Sequence, residues 1–289
     1  ADDFIADTLR GYGVDAQYEI VSIEPGKQVL RNILVGDPDR PDLTIERVEI
    51  HIAPRLGLPG ISRLVVDRPR LWGRIVEGEP SFGALDPLVF TGSEGPFEFP
   101  DMRLTVHDGR ALVEGDHGPV AVRLHGGGHL RGGFAGILAV NAPQLSFEGC
   151  NAQNATLFGE VSIDAERPGF SGPLRLASLD CPEQGVSLRD AGLNLQVRVD
   201  RNLAGFEGDA GLAGGALAIE GNRVEAVSGS SQFAWRKEAL TASYELAVQG
   251  VDTPDLALGR LSVAGSARSG EGFEKLEIET DIDGAGLRP

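Results

Sequence analysis

Two histidines, His125 and His129, flank three consecutive glycines, and there metal chemistry could begin in this 289-residue chain. An i, i+4 imidazole pair supplies two ligands, however, while a zinc site takes three or four and no third ligand is local. The stretch Leu124-His125-Gly126-Gly127-Gly128-His129-Leu130 also lacks the strand and helix that frame a phosphate-cradling loop. It reads as a flexible turn between strands. Nucleophilic hydrolysis finds no better foothold: no serine lies in a G-x-S-x-G elbow, and only five histidines could serve as a base. The 43 Asp and Glu side chains could pair by chance at glycosidase spacing, but an acidic excess of this kind reads as a solvated outer face. Cys150 and Cys181 have neither the C-x-x-C redox spacing nor a metal set around them. A disulfide is the preferred reading. It would close a loop of about 30 residues, stabilise by about 3 to 4 kcal/mol and imply an oxidising compartment. Two buried free thiols are the alternative. These residues lead us to expect no enzyme, no metal and no cofactor.

The elements around them repeat one pattern, with aliphatic or aromatic side chains at every second position between Gly, Pro, Asp or Asn. Leu193, Leu195, Val197 and Val199 are the clearest run. Successive strand side chains point to opposite faces, so such a chain builds sheets with one apolar and one polar face. Candidate strands recur about every 8 to 12 residues after residue 100, as in an all-β array. They include 102–106 and 110–114 as separate segments, 136–140, 193–199, 240–248 and 276–282. An opening helix is predicted over 2–12, where Phe4, Ile5, Leu9 and Tyr12 recur near helical spacing. The Pro- and Gly-rich connection 77–101 reads as a helical or irregular insertion whose apolar residues pack over one end of the sheet. Many of the 40 glycines fall inside strand-like runs, as at Gly159, Gly172, Gly208 and Gly265, which suits bends or close backbone approach. The formal net charge of −17 excludes a phosphate-tracking nucleic-acid surface. No apolar run approaches the ~18 to 20 residues of a membrane-crossing helix.

An apolar sheet face must be covered. A second sheet, a closed barrel or a ligand with long hydrocarbon parts are the available covers, and periodicity does not choose among them. The inward parity is expected to include Leu104, Val106, Val122, Leu124, Leu157, Val161, Ile163, Leu193, Leu195, Val197, Phe233, Trp235, Tyr244, Leu246, Ile278 and Ile282.

Residues 64–89 narrow the choice: a strand (Leu64-Val65-Val66), a Pro69-Arg70-Leu71 step, a second strand, a turn at Gly78, then a small-residue segment with Leu85 and Leu88. This resembles the N-terminal module of the AsmA-like superfamily, and within it the YdbH-type proteins of proteobacteria. Residues 2–18 look like the start of that family's ectodomain, and Leu30-Arg31-Asn32-Ile33-Leu34-Val35-Gly36-Asp37-Pro38 like its second strand and turn. The resemblance covers about the first 90 residues and is architectural beyond them. It implies a mainly β fold, a long, strongly curved, mostly antiparallel sheet forming an open β-groove (β-taco), with residues 1–100 as the N-terminal module. Residues 101–289 would continue the groove, with more chain beyond Pro289. It further implies that phospholipid acyl chains lie in the groove on their way between inner and outer membranes. The same resemblance implies a periplasmic location, an N-terminal inner-membrane anchor outside this chain, and a possible lipoprotein partner on the outer-membrane side. A structural or adhesive β-solenoid or sandwich binding glycans or proteins is the rival reading, and a carbohydrate-active enzyme is disfavoured by 6% aromatic content.

Overall fold

The computed structural model describes residues 11, 13–53, 60–76, 78–90, 98–255, 257–270 and 275–288. Strands take 77% of them, and all 18 strands belong to one sheet. The mainly β, mostly antiparallel class expected from the alternation is therefore correct. The helix predicted over 2–12 lies almost wholly outside the described residues. By internal packing the chain divides into two compact units, residues 1–140 with 161–166, and residues 141–160 with 167–289.

The first unit holds β1 (Ala16–Glu24), β2 (Lys27–Asp37), β3 (Arg40–Ala53), β4 (Gly60–Asp67), β5 (Arg70–Val76), β6 (Glu79–Ser81), β7 (Arg103–Glu114), β8 (Val120–His129) and the start of β9 (Phe134–Phe147). β1, β2, β3 and β4 form an antiparallel meander. β7 then runs parallel to β4 with its first half and parallel to β5 with its second. Its two halves join at Asp108, which has φ 46° and shifts the register against β8 between Val106 and Gly109. A short polar side chain tolerates this left-handed conformation, so a bulge bends the strand without ending it. The segments 102–106 and 110–114, expected as separate strands, are thus one. Arg70 fastens the bend, donating to the Asp108 carboxylate at 2.8 Å and to its carbonyl.

Cross-strand rows such as Leu30, Val48, Val66 and Val106 build the core of this unit. The insertion after β6 covers it. A single 3-10 turn (Gly83–Leu85) leads into a four-residue helix, α1 (Asp86–Val89), and Leu85 is buried with Leu30, Ile33, Val48 and Ile50, while Phe82, Ala84 and Leu88 pack against them. The Asp86 carboxylate holds the turn by accepting from the Ser81 hydroxyl at 2.7 Å and the Phe82 amide. Of the apolar residues expected to pack from 77–101, Phe82, Leu85 and Leu88 do so, while Val89 and Phe90 are exposed.

The glycine stretch at 126–128 is not a turn. It lies inside β8, with Gly126, Gly127 and Gly128 paired to Val106, Thr105 and Leu104. A Cβ on Gly126 would meet the Gly136 Cα at 2.6 Å, so glycine here permits close backbone approach.

The second unit contains the rest of β9, then β10 (Cys150–Asp164, through Glu160), β11 (Arg167–Cys181), β12 (Val186–Val199), β13 (Gly205–Gly214), β14 (Leu217–Ile219), β15 (Asn222–Arg236), β16 (Ala239–Asp252), β17 (Ala257–Ser269) and β18 (Leu276–Arg288). Apart from the strands, its only regular element among the described residues is a 3-10 turn (Pro182–Gln184). From β11 onward every pairing is antiparallel. Cys150 opens β10 and Cys181 closes β11, and the two form a disulfide with Cα atoms 4.1 Å apart.

Candidate functional site

Strand register in the second unit turns the alternation of single segments into continuous surfaces. Following direct cross-strand partners across β11, β12, β13, β15, β16, β17 and β18, one row reads Phe170, Val197, Gly208, Phe233, Ala242, Ala267, Ile278. The next reads Gly172, Leu195, Ala210, Ser231, Tyr244, Gly265, Thr280, and the third Leu174, Leu193, Leu212, Gly229, Leu246, Val263, Ile282. Directly opposed residues share a face, so these rows form one apolar field. The intervening row is Ser171, Gln196, Asp209, Gln232, Ser243, Ser266, Glu279, and it is wholly polar. Seven strands at ~4.8 Å spacing make the apolar field about 29 Å wide.

Most of this field is half-buried rather than sealed. Leu193, Leu195, Val197, Phe233, Trp235, Tyr244 and Leu246 are all partly accessible, while Ile278 and Ile282 on β18 are 58% and 64% exposed. Val227 and Val248, paired to each other, are buried at one border.

Large side chains on this face lie over glycines of the neighbouring strand. A Cβ on Gly208 would stand 3.0 Å from Phe233 Cζ; on Gly265, 3.0 Å from Tyr244 Cζ; on Gly229, 2.8 Å from Leu246 Cδ2; on Gly159, 2.9 Å from Phe170 Cζ. None of these glycines has a left-handed φ, so their use is steric, leaving space for a ring or branch to lie flat. Tyr244 reaches across Gly265 to β18, where its hydroxyl shares a 2.7 Å hydrogen bond with Thr280. Phe206 meets Phe233 edge to face, with ring centroids 6.2 Å apart.

The sequence-chosen residues divide between the units. Leu193, Leu195, Val197, Phe233, Tyr244, Leu246, Ile278 and Ile282 fall on the three rows, with Trp235 opposite Phe206 and Leu240 on the same face. Leu157, in β10, is also half-buried in this unit. The remaining six are in the first unit, where Val106 is buried in the row with Val66 and Leu104 packs against the protein-covered core. Val122 and Leu124 pair with Ala111 and Gly109 and are half-buried, as is Val161, while Ile163 is buried. Phe170, Leu174, Phe206, Leu212 and Val263 belong to that field and were not chosen; their alternation was legible, their alignment with the other strands was not.

Polar side chains organise the hairpin ends. Arg167 donates to Asp200 at 3.3 Å and to Glu207 at 3.0 Å, and Arg236 to the same two carboxylates at 3.1 and 2.7 Å. The Arg236 guanidinium, seconded by Arg167, holds the Glu207 carboxyl below its ordinary value of 4.5, and the carboxylates raise Arg236 in return. His129 pairs with Asp101 at 3.1 Å, whereas His125 stacks on His107 at 5.6 Å. As i and i+4 on a strand the two histidines stand ~13 Å apart, too far to share one ion. Among the described residues no cluster of three or more His, Cys, Asp or Glu could hold a metal, and no helix is long and apolar enough to cross a membrane.

No curated protein and no solved structure matches this chain. A family model described as "YdbH-like: Intermembrane phospholipid transport protein YdbH" does match, over residues 1–282. With nearly the whole chain inside that match, the protein belongs to the YdbH-like family of intermembrane phospholipid transport proteins.

Proposed function

We propose that the apolar face of the second unit carries phospholipid acyl chains, with head groups left in solvent at the open edge and tails sliding along Leu, Val, Ile and Ala positions. The observation that carries this reading is the set of three aligned, mostly apolar rows, half-accessible across seven strands and backed by a mostly polar opposite face. Each methylene moved from water onto such a surface gains ~0.8 kcal/mol, so two long tails are retained without directional contacts. A face of non-directional apolar contacts, with rings lying over glycines, suits transit better than a single stoichiometric site. In the cell the protein would stand in the periplasm of a Gram-negative bacterium, held at the inner membrane by an N-terminal anchor outside this chain. There it would hand lipid toward an outer-membrane-side partner and so support outer-membrane lipid balance.

The double variant Leu195→Asp/Leu246→Asp places a charge in two of the rows, one on β12 and one on β16. It should keep its far-ultraviolet circular dichroism, because both positions are half-open. Bound phospholipid, extracted and quantified by mass spectrometry, should fall at least fivefold. Undiminished lipid in a folded double variant would refute the assignment.

A further inference from the structure

The first unit carries a basic surface that its core does not use. On β5 the side chains of Arg70, Trp72 and Arg74 alternate with Leu71, which packs against the core, so they stand on the opposite face. Their cross-strand partners on β7 are Arg110, Leu112 and Glu114, and on β8 Arg123 and Ala121 lie opposite Arg110 and Leu112. Three guanidinium groups, from Arg70, Arg110 and Arg123, are thus consecutive in one row. Like charges directly opposed weaken a sheet, so stability does not explain the arrangement. Asp108 answers two of them, with contacts of 2.8 Å to Arg70 and 3.3 Å to Arg110. Neither Arg74 nor Arg123 has an ion-pair partner among the described residues. Beside this row Trp72 is 40% exposed, and Val76, further along the same face, is 57% exposed.

Four arginines against three carboxylates, Asp108, Glu114 and Glu79 opposite Val76, leave a local basic excess on a chain of net charge −17. The arginines are spread over β5, β7 and β8 of one sheet face, so the field fits an extended anionic surface better than one small anion. Guanidinium groups bind phosphate oxygens in a fork, and an exposed indole is at home at the level of lipid head groups. We propose that this face, built on Arg70, Trp72, Arg74, Arg110 and Arg123, docks the first unit on the surface of an anionic phospholipid bilayer. It is separate from the apolar rows of the second unit and does not depend on their carrying lipid.

The test is flotation of the 289-residue chain with vesicles of phosphatidylcholine alone or mixed with phosphatidylglycerol, at low and at physiological salt. Binding should require the anionic lipid and weaken with salt. Each cation at an anionic surface changes partitioning roughly fivefold, so Arg74→Glu/Arg123→Glu should lose binding by more than ~25-fold. The milder Arg74→Gln/Arg123→Gln, which carries the test should the first variant not fold, should lose binding by about that factor. Tryptophan emission should shift to the blue on binding, and Trp72→Phe should abolish the shift although Trp235 remains. Leu195→Asp/Leu246→Asp should dock like the unaltered chain, which keeps a failure here distinguishable from a failure of the lipid-carrying face. Equal binding to neutral vesicles, no binding at low salt, or undiminished binding by the glutamine variant would overturn the proposal.

Discussion

On the apolar face of the second unit, glycine and a large neighbour divide one volume between two strands. The Phe233 ring occupies what a side chain on Gly208 would fill, and the Gln196 carbonyl lies closer still. Gly208→Ala must therefore displace backbone as well as ring, and should destabilise by about 1 to 3 kcal/mol. In urea unfolding this would lower the midpoint without changing the slope; an unchanged midpoint would show that the ring yields freely. The sequence displayed these glycines inside strands, but their purpose depends on the residue opposite, which no single segment contains. The same holds for Val106 and Leu193. Both alternate along their strands, yet Val106 is buried beside Val66 and Leu193 stays half-open, a difference set by strand pairing and cover distant in sequence.

Strand rhythm was legible at the scale of elements, while strand ends and bends were less so. Ala165 and Glu166 both adopt left-handed φ between β10 and β11, and Lys237 and Glu238 do so between β15 and β16. Two-residue hairpins demand that geometry, but these pairs lack the Asn-Gly or Asp-Gly signature that announces it. Cys150 and Cys181 were readable as a pair, and they tie the far ends of β10 and β11. Replacing both by serine should cost about 3 to 4 kcal/mol in the chain-entropy account, measured as a lower urea midpoint that added reductant no longer changes. A reductant effect persisting in that variant would contradict it. At the hairpin ends, Arg236 and Arg167 keep the Glu207 carboxyl below 4.5. A depressed carboxyl pKa adds stability above the unfolded value, lost as pH falls through the folded one. Glu207→Gln should accordingly lower the melting temperature at pH 7, and its deficit should vanish under acid conditions below the folded pKa of Glu207. A deficit unchanged by acid would mean that the carboxylate's charge is irrelevant.

Across the whole molecule, the β-rich fold and the aligned apolar rows agree with membership of a phospholipid transport family. A mostly polar face keeps one side of the sheet in water, and on the proposed reading the opposite face would bind by area rather than by directed bonds. The family resemblance was carried by residues near the N-terminus, whereas the broadest half-open apolar field lies in the second unit, where sequence offered only rhythm. Native mass spectrometry of the purified 289-residue chain tests the central claim most directly. The account predicts phospholipid masses bound to the intact protein in more than one stoichiometry, released as free phospholipid on activation and diminished in Leu195→Asp/Leu246→Asp. A lipid-free chain that also takes up none when mixed with phospholipid vesicles would contradict it.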